Sequence, residues 1–215
     1  MKRLVIFDLD GTLLNTIADL AFSTNYALEK NGFPVHPKED YNMFVGNGVN
    51  KLLERALPEG QKTEENIMLI RKDFLSYYDE HNTDYSAPYP GIPALLNLIQ
   101  EKGLRLAVAS NKYQAATIEL VKRYFSNIKF DVTLGQREGV PIKPDPTIVY
   151  DILAETGIDK CDAIYVGDSG VDMQTAKNSG VDAIGVTWGF RPRSELELFN
   201  PLYIVDKAED IPALL

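Results

Sequence analysis

The strongest constraint on this chain is the distribution of its apolar runs. One short run, Leu4-Val5-Ile6-Phe7, stands near the start and ends in Asp8-Leu9-Asp10-Gly11-Thr12. No second strand-like run follows until Leu104, and the intervening residues carry helical periods instead. Beyond that point apolar runs alternate with helical segments, the pattern of a parallel sheet with crossover helices. The first run therefore belongs with the later sheet. The expected fold class is α/β, an open parallel-sheet, Rossmann-like core formed by residues 1–14 and 84–215 with an inserted helical cap over 15–83.

Within the insertion the periods predict helices over 17–30, 48–57 and 64–78, separated by Pro34, Pro37 and Pro58. The core is expected to hold strands over 3–7, 104–109, 132–134, 163–166 and 183–186, with helices over 92–102, 114–124, 147–156 and 172–179. Ligands of an open parallel sheet bind beyond the carboxyl ends of its strands, so Asp8, Asp10, Ser110 and Asp168 converge there although they are far apart in sequence.

The residue types at those strand ends suit phosphoryl transfer. Asp8 and Asp10 share one side of an extended backbone, and Gly11 lets the chain turn close to an anion. An ionised Asp8 can attack phosphorus and form an acyl phosphate, which divides hydrolysis into two displacements. Asp10 then serves both halves, protonating the departing alkoxide and later activating water. A dianionic substrate beside two carboxylates calls for a hard, oxygen-coordinated cation such as Mg2+, for which Asp168 is the best remaining ligand. Asp172, four residues on, is expected to act through water or to orient Lys143. Ser110, the Asn111 backbone and Lys143 supply donors and charge for the transferred phosphoryl group. Each motif alone is as easily a solvated strand end, a helix cap or an exposed lysine; their order after successive strands carries the reading.

These residues resemble the four motifs of the haloacid dehalogenase superfamily in its phosphatase branch, across nearly the whole chain. Asp8-Leu9-Asp10-Gly11-Thr12 is similar to the first motif, Ser110 to the second, Lys143 to the third, and Gly167-Asp168 with Asp172 to the fourth. The resemblance implies Mg2+ held by Asp8, the backbone carbonyl of Asp10 and Asp168. Dehalogenases of the superfamily lack the second motif-one aspartate, so the presence of Asp10 argues against dehalogenation. The cap segment from Val45 to Leu57 and the later Thr187-Trp188-Gly189-Phe190 resemble the phosphoglycolate phosphatase subgroup, which implies a 2-phosphoglycolate substrate. Gly46, Asn47, Gly48 and Lys51 are the candidate substrate-selecting residues of the cap, although a Gly-Asn-Gly turn leading into a helix is an equal reading. Asn15 departs from the aspartate that many relatives carry at that place.

Other substrates remain open at this point: pyrophosphate, sugar phosphates or nucleotides, transfer to sugar as in β-phosphoglucomutase, phosphonate cleavage, or a metabolite-binding regulator without catalysis. The mutase reading lacks the expected cap-helix histidine, since Thr16-Ile17-Ala18-Asp19-Leu20 follows the first motif. His36 and His81 are expected to be structural, Tyr77, Tyr78, Tyr85 and Tyr89 to pack near the cap hinge, and Arg191 and Arg193 to form exposed ion pairs.

Composition narrows the partners. The 22 basic and 31 acidic residues give a formal charge of -9, which disfavours nucleic acid and anionic membranes; the small phosphorylated metabolite expected as the partner follows from the motifs and the resemblance above. The 215 residues include a single cysteine, Cys161, which excludes an internal disulfide or a cysteine-built metal site. With a strand rather than a signal sequence at the start, a cytoplasmic location is expected. No apolar run approaches the roughly 20 residues of a spanning helix. No heptad or repeat bears on the oligomeric state.

Overall fold

Leu4, Val5, Ile6 and Phe7 are all fully buried, as befits a central strand covered on both faces. In the computed structural model, which describes residues 2–215, they form β1 (Leu4–Phe7) of a six-stranded parallel sheet. The other members are β4 (Arg105–Tyr113), β5 (Val132–Gln136), β6 (Ala163–Gly167), β7 (Asp182–Val186) and β8 (Tyr203–Val205), in the order β5-β4-β1-β6-β7-β8. The short β2 (Leu14–Asn15) and β3 (Ala87–Pro88) pair separately. The chain divides into two compact units, Met1–Leu14 with Pro88–Leu215, and Asn15–Ala87.

In the larger unit the period-two alternation of the strands builds a separate core on each face of the sheet. Val5, Phe7, Leu106, Val108, Ile164 and Val166 pack with Ile92, Leu95, Leu96 and Ile99 of α5 (Ile92–Glu101) and with Leu120 and Val121 of α6 (Gln114–Tyr124). Leu4, Ile6, Ala107, Ala109, Ala163 and Tyr165 pack with Ile148, Val149 and Ile152 of α7 (Thr147–Thr156) and with Met173 and Ala176 of α8 (Gly170–Ser179). In register, Phe7 faces both Val108 and Val166, so the carboxyl ends of β4, β1 and β6 lie level. That alignment positions the site.

The smaller unit is helical: α1 (Ile17–Lys30), α2 (Tyr41–Phe44), α3 (Gly48–Ala56) and α4 (Glu64–His81). Tyr41, Leu52, Leu53, Ile70, Phe74 and Tyr78 are buried within it. His36 Nε2 lies 2.7 Å from the carbonyl of Ala56 at the end of α3, and His81 stacks on Tyr77 and meets Asp84 at 2.8 Å. Asn15 accepts the N–H of Ile17 at 3.4 Å, which gives the first turn of α1 a side-chain acceptor. Among the described residues no helix is long and apolar enough to cross a membrane.

Three departures from the sequence expectation have local causes. β4 continues past its apolar run to Tyr113, through a register shift between Ala109 and Tyr113, and so takes in Ser110, Asn111 and Lys112. α8 starts at Gly170, because Ser169 and Asp172 form a reciprocal capping box. The edge strand β8, the four-residue α2 and the five-residue α9 (Arg193–Glu197) are too short to establish a period.

Candidate active site

Asp8 lies one residue beyond β1, where its N–H donates to the carbonyl of Val166 at 2.9 Å, and its side chain meets Lys143 Nζ at 2.8 Å. Lys143 is almost wholly enclosed. Its ammonium also donates to Asp172 Oδ1 at 2.8 Å, the Ala109 carbonyl at 2.9 Å and the Tyr165 hydroxyl at 3.0 Å. The backbone of Lys143 is fixed by Asn111, whose side chain donates to the Lys143 carbonyl at 3.0 Å and accepts its N–H at 2.8 Å. Asp172 divides its carboxylate, with Oδ1 on Lys143 and Oδ2 accepting from the Ser169 hydroxyl at 2.6 Å and the Ser169 N–H at 3.1 Å.

Asp168 follows β6 and is buried between two glycines. Its Oδ1 accepts from the Thr12 hydroxyl at 3.1 Å and its Oδ2 from the N–H of Phe190 at 2.8 Å. A Cβ at Gly11, where φ is +95°, would stand 2.5 Å from Asp168 Oδ2, and one at Gly189 would stand 2.3 Å from Asp168 Cβ. Only glycine fits at either place. Trp188 Nε1 donates to the Thr12 carbonyl at 3.0 Å and ties the two flanking loops together.

Asp8, Asp168 and Asp172 each present an oxygen within 4.8 Å of the others, and all three are buried. Burial, then the nearby charge of Asp172, pushes Asp8 well above the usual carboxylate range, and Lys143 only partly offsets this. The same causes in the same order raise Asp168 to about 7, against the lowering effect of Phe190 and Thr12. Burial opposes the charge on Lys143, but Asp172 and Asp8 outweigh it and hold the ammonium above its ordinary value. Three converging buried carboxylates with one lysine among them form a hard, oxygen-only, electron-rich donor set. That chemistry fits a divalent cation such as Mg2+.

The other predicted residues divide between the units. Asp10 and Ser110 sit with this cluster in the larger unit, where Ser110 Oγ accepts the N–H of Lys112 at 3.1 Å. Gly46, Asn47, Gly48 and Lys51 belong to the helical unit; Asn47 Oδ1 accepts from Arg55 Nη2 at 2.8 Å, and Lys51 pairs with Glu54 at 2.8 Å. Two residues escaped the sequence reading. Lys112 Nζ lies 3.1 Å from both carboxylate oxygens of Asp10, and Tyr165 joins the Lys143 cluster through its hydroxyl. The alternation of β6 does assign Tyr165 to the face shared with Ala163, but nothing in the sequence marks its partner. Arg191, expected at the surface, is only 8% exposed and approaches Glu195, which in turn accepts the N–H of Gly170 at 2.8 Å. Arg193 pairs with Asp206 at 2.8 Å and stays exposed.

A parallel sheet that gathers buried carboxylates and a lysine at the carboxyl ends of its strands has the layout of an α/β enzyme with an acidic site. The chain belongs to the haloacid dehalogenase-like hydrolase family, whose sequence pattern matches residues 5–186. It is 32% identical to the phosphoglycolate phosphatase of Mannheimia succiniciproducens, covering 97% of this chain and 96% of that one. It is 34% identical to the phosphoglycolate phosphatase of Agrobacterium fabrum, covering 100% and 93%. A Lactobacillus delbrueckii subsp. bulgaricus protein, whose crystal structure carries the provisional name phosphoglycolate phosphatase, superposes with a TM-score of 0.92 at 35% identity, over 98% of this chain and 97% of that one.

Proposed function

We propose that this family member is a Mg2+-dependent phosphatase that hydrolyses 2-phosphoglycolate to glycolate and phosphate through an aspartyl phosphate on Asp8. The observation that carries the reading is the buried Asp8 carboxylate, held at Oδ1 by Lys143 at 2.8 Å beside Asp168 and Asp172. Full-length relatives named phosphoglycolate phosphatase support the substrate and favour hydrolysis over the other chemistries that the motifs admit.

Asp8, the Asp10 carbonyl and Asp168 are the proposed Mg2+ ligands. When bound, the ion supplies the positive charge that lets a dianionic phosphate approach these carboxylates. Asp8 attacks phosphorus as the ionised carboxylate. Lys143, Ser110 Oγ and the backbone at Asn111 hold the transferring oxygens, whose charge is spread in a loose transition state. Asp10 protonates the departing glycolate oxygen and then takes a proton from the water that hydrolyses the acyl phosphate. The double contact of Asp172 with Ser169 and Lys143 supports the role of orienting the lysine.

The helical unit is proposed as the cap that reads the leaving group. Gly46, with φ +118°, and Gly48, with φ +78°, give the loop its conformation, and Arg55 braces it through Asn47 and the Phe44 carbonyl. Backbone donors of that loop, with Asn47 and Lys51, are the candidate contacts to substrate.

The test is phosphate release from 2-phosphoglycolate, pyrophosphate, sugar phosphates and a nucleotide, with Mg2+ or with chelator. The expected result is the highest kcat/KM on 2-phosphoglycolate and none with chelator. A higher kcat/KM on another substrate would overturn the substrate, and turnover undiminished by chelator would overturn the metal dependence.

A further inference from the structure

Lys112 is an unusual place for a lysine. Its side chain is 3% exposed, and its ammonium bridges both oxygens of Asp10 at 3.1 Å. The backbone that aims it is tightly held: its N–H donates to Ser110 Oγ at 3.1 Å and its carbonyl accepts from the Thr117 hydroxyl at 3.1 Å. Gly135 is needed beneath it, since a Cβ there would lie 2.5 Å from the Lys112 carbonyl. A buried lysine is held at this cost only where its charge has a partner.

Its neighbour is the group proposed to protonate the leaving oxygen, so the position of Lys112 relates it to the leaving group. A general acid reaches its acceptor at about 2.6–3.2 Å. Lys112 Nζ, at 3.1 Å from Asp10, therefore lies within about 6 Å of the departing oxygen. Lys143 is engaged with Asp8 and Asp172 on the phosphorus side, which places Lys112, within the larger unit, as the ammonium on the leaving-group side. A neutral leaving group has no use for that charge. A carboxylate one carbon away from the departing oxygen does, because a buried ammonium attracts it more strongly than one in water.

We infer that Lys112 is a specificity residue that selects phosphomonoesters carrying a carboxylate next to the leaving oxygen, while its contact with Asp10 keeps that acid in line. This inference rests on the substrate reading above, and the experiment separates the two.

The experiment compares kcat and KM on 2-phosphoglycolate and on ethyl phosphate, which lacks the carboxylate, for the wild type, Lys112→Met and Lys112→Arg with Mg2+. The wild type is expected to prefer 2-phosphoglycolate. Lys112→Met should shrink that preference about 10- to 100-fold, the weight of one charged hydrogen bond, mostly through KM. Lys112→Arg should keep most of the preference. If Lys112→Met does not fold, Lys112→Gln, which retains a donor for Asp10 without the charge, is read in the same way. Equal losses on the two substrates would mean a purely structural role and overturn the inference alone. A wild type with no preference would overturn the substrate reading and, with it, this inference.

Discussion

Asn111 and Lys143 are joined twice, the Asn111 amide donating to the Lys143 carbonyl at 3.0 Å and accepting the Lys143 N–H at 2.8 Å. The end of β4 is thereby fastened to the loop that delivers the buried ammonium. The side chain of Asn111 is thus a scaffold for the Lys143 backbone.

Asn111→Ala leaves a buried N–H and a buried carbonyl without their partner. The expected loss is about 2–4 kcal/mol of stability, read from urea denaturation, together with a fall in kcat of about 10- to 100-fold as Lys143 loses its alignment. Unchanged stability with normal kcat would mean that this pair of hydrogen bonds is incidental.

The metal should act as a stabiliser whose effect grows with pH. In the folded protein Asp168 is raised to about 7, by burial first and then by Asp172, from an ordinary value of 3.8. Between those values the folded state binds the extra proton and the unfolded state does not. The associated stability is present at low pH and is lost as pH rises toward 7. Asp8 shifts in the same direction. Mg2+ competes with those protons, so the rise in Tm that it causes should be larger at about pH 7.5 than at about pH 5. Asp168→Asn should abolish most of that rise and flatten the metal-free profile over the same interval. An equal Mg2+ effect at both pH values would contradict the assignment.

Gly11→Ala introduces a methyl 2.5 Å from Asp168 Oδ2 at a backbone φ of +95°. Stability should fall by about 1–3 kcal/mol from the backbone alone, and Mg2+ affinity by about 10-fold or more as Asp168 is displaced. Calorimetric titration with Mg2+ measures the second effect directly; wild-type affinity in a folded variant would show that Asp168 does not depend on this gap.

How far the sequence reached depends on whether each feature has a local cause. A strand buried on both faces is a continuous apolar run, so the apolar runs ending at Phe7, Ala109 and Val166 could be read and the site residues just beyond them stood out, while the continuation of β4 to Tyr113 through a register shift left no apolar signal. Ser169 and Asp172 carry the spacing of a capping box, but the helix was expected only from residue 172, because the apolar pattern does not show that the reciprocal side-chain bonds start α8 at Gly170. Lys112 and Arg191 gave no such signal. A basic residue usually reads as exposed, and their burial follows from Asp10 and Glu195, which are 102 and four residues away. Tyr165 was legible as a strand residue, while its hydroxyl contact with Lys143 arises only when β6 and the loop after β5 are brought together.

Whether Asp8 becomes phosphorylated is read by borohydride trapping during turnover of 2-phosphoglycolate with Mg2+, followed by peptide mass spectrometry. Residue 8 is expected to be reduced to homoserine in the wild type only while substrate is present, with no trapping and no turnover in a folded Asp8→Asn variant. Steady turnover by Asp8→Asn, or trapping at another residue, would contradict phosphorylation of Asp8.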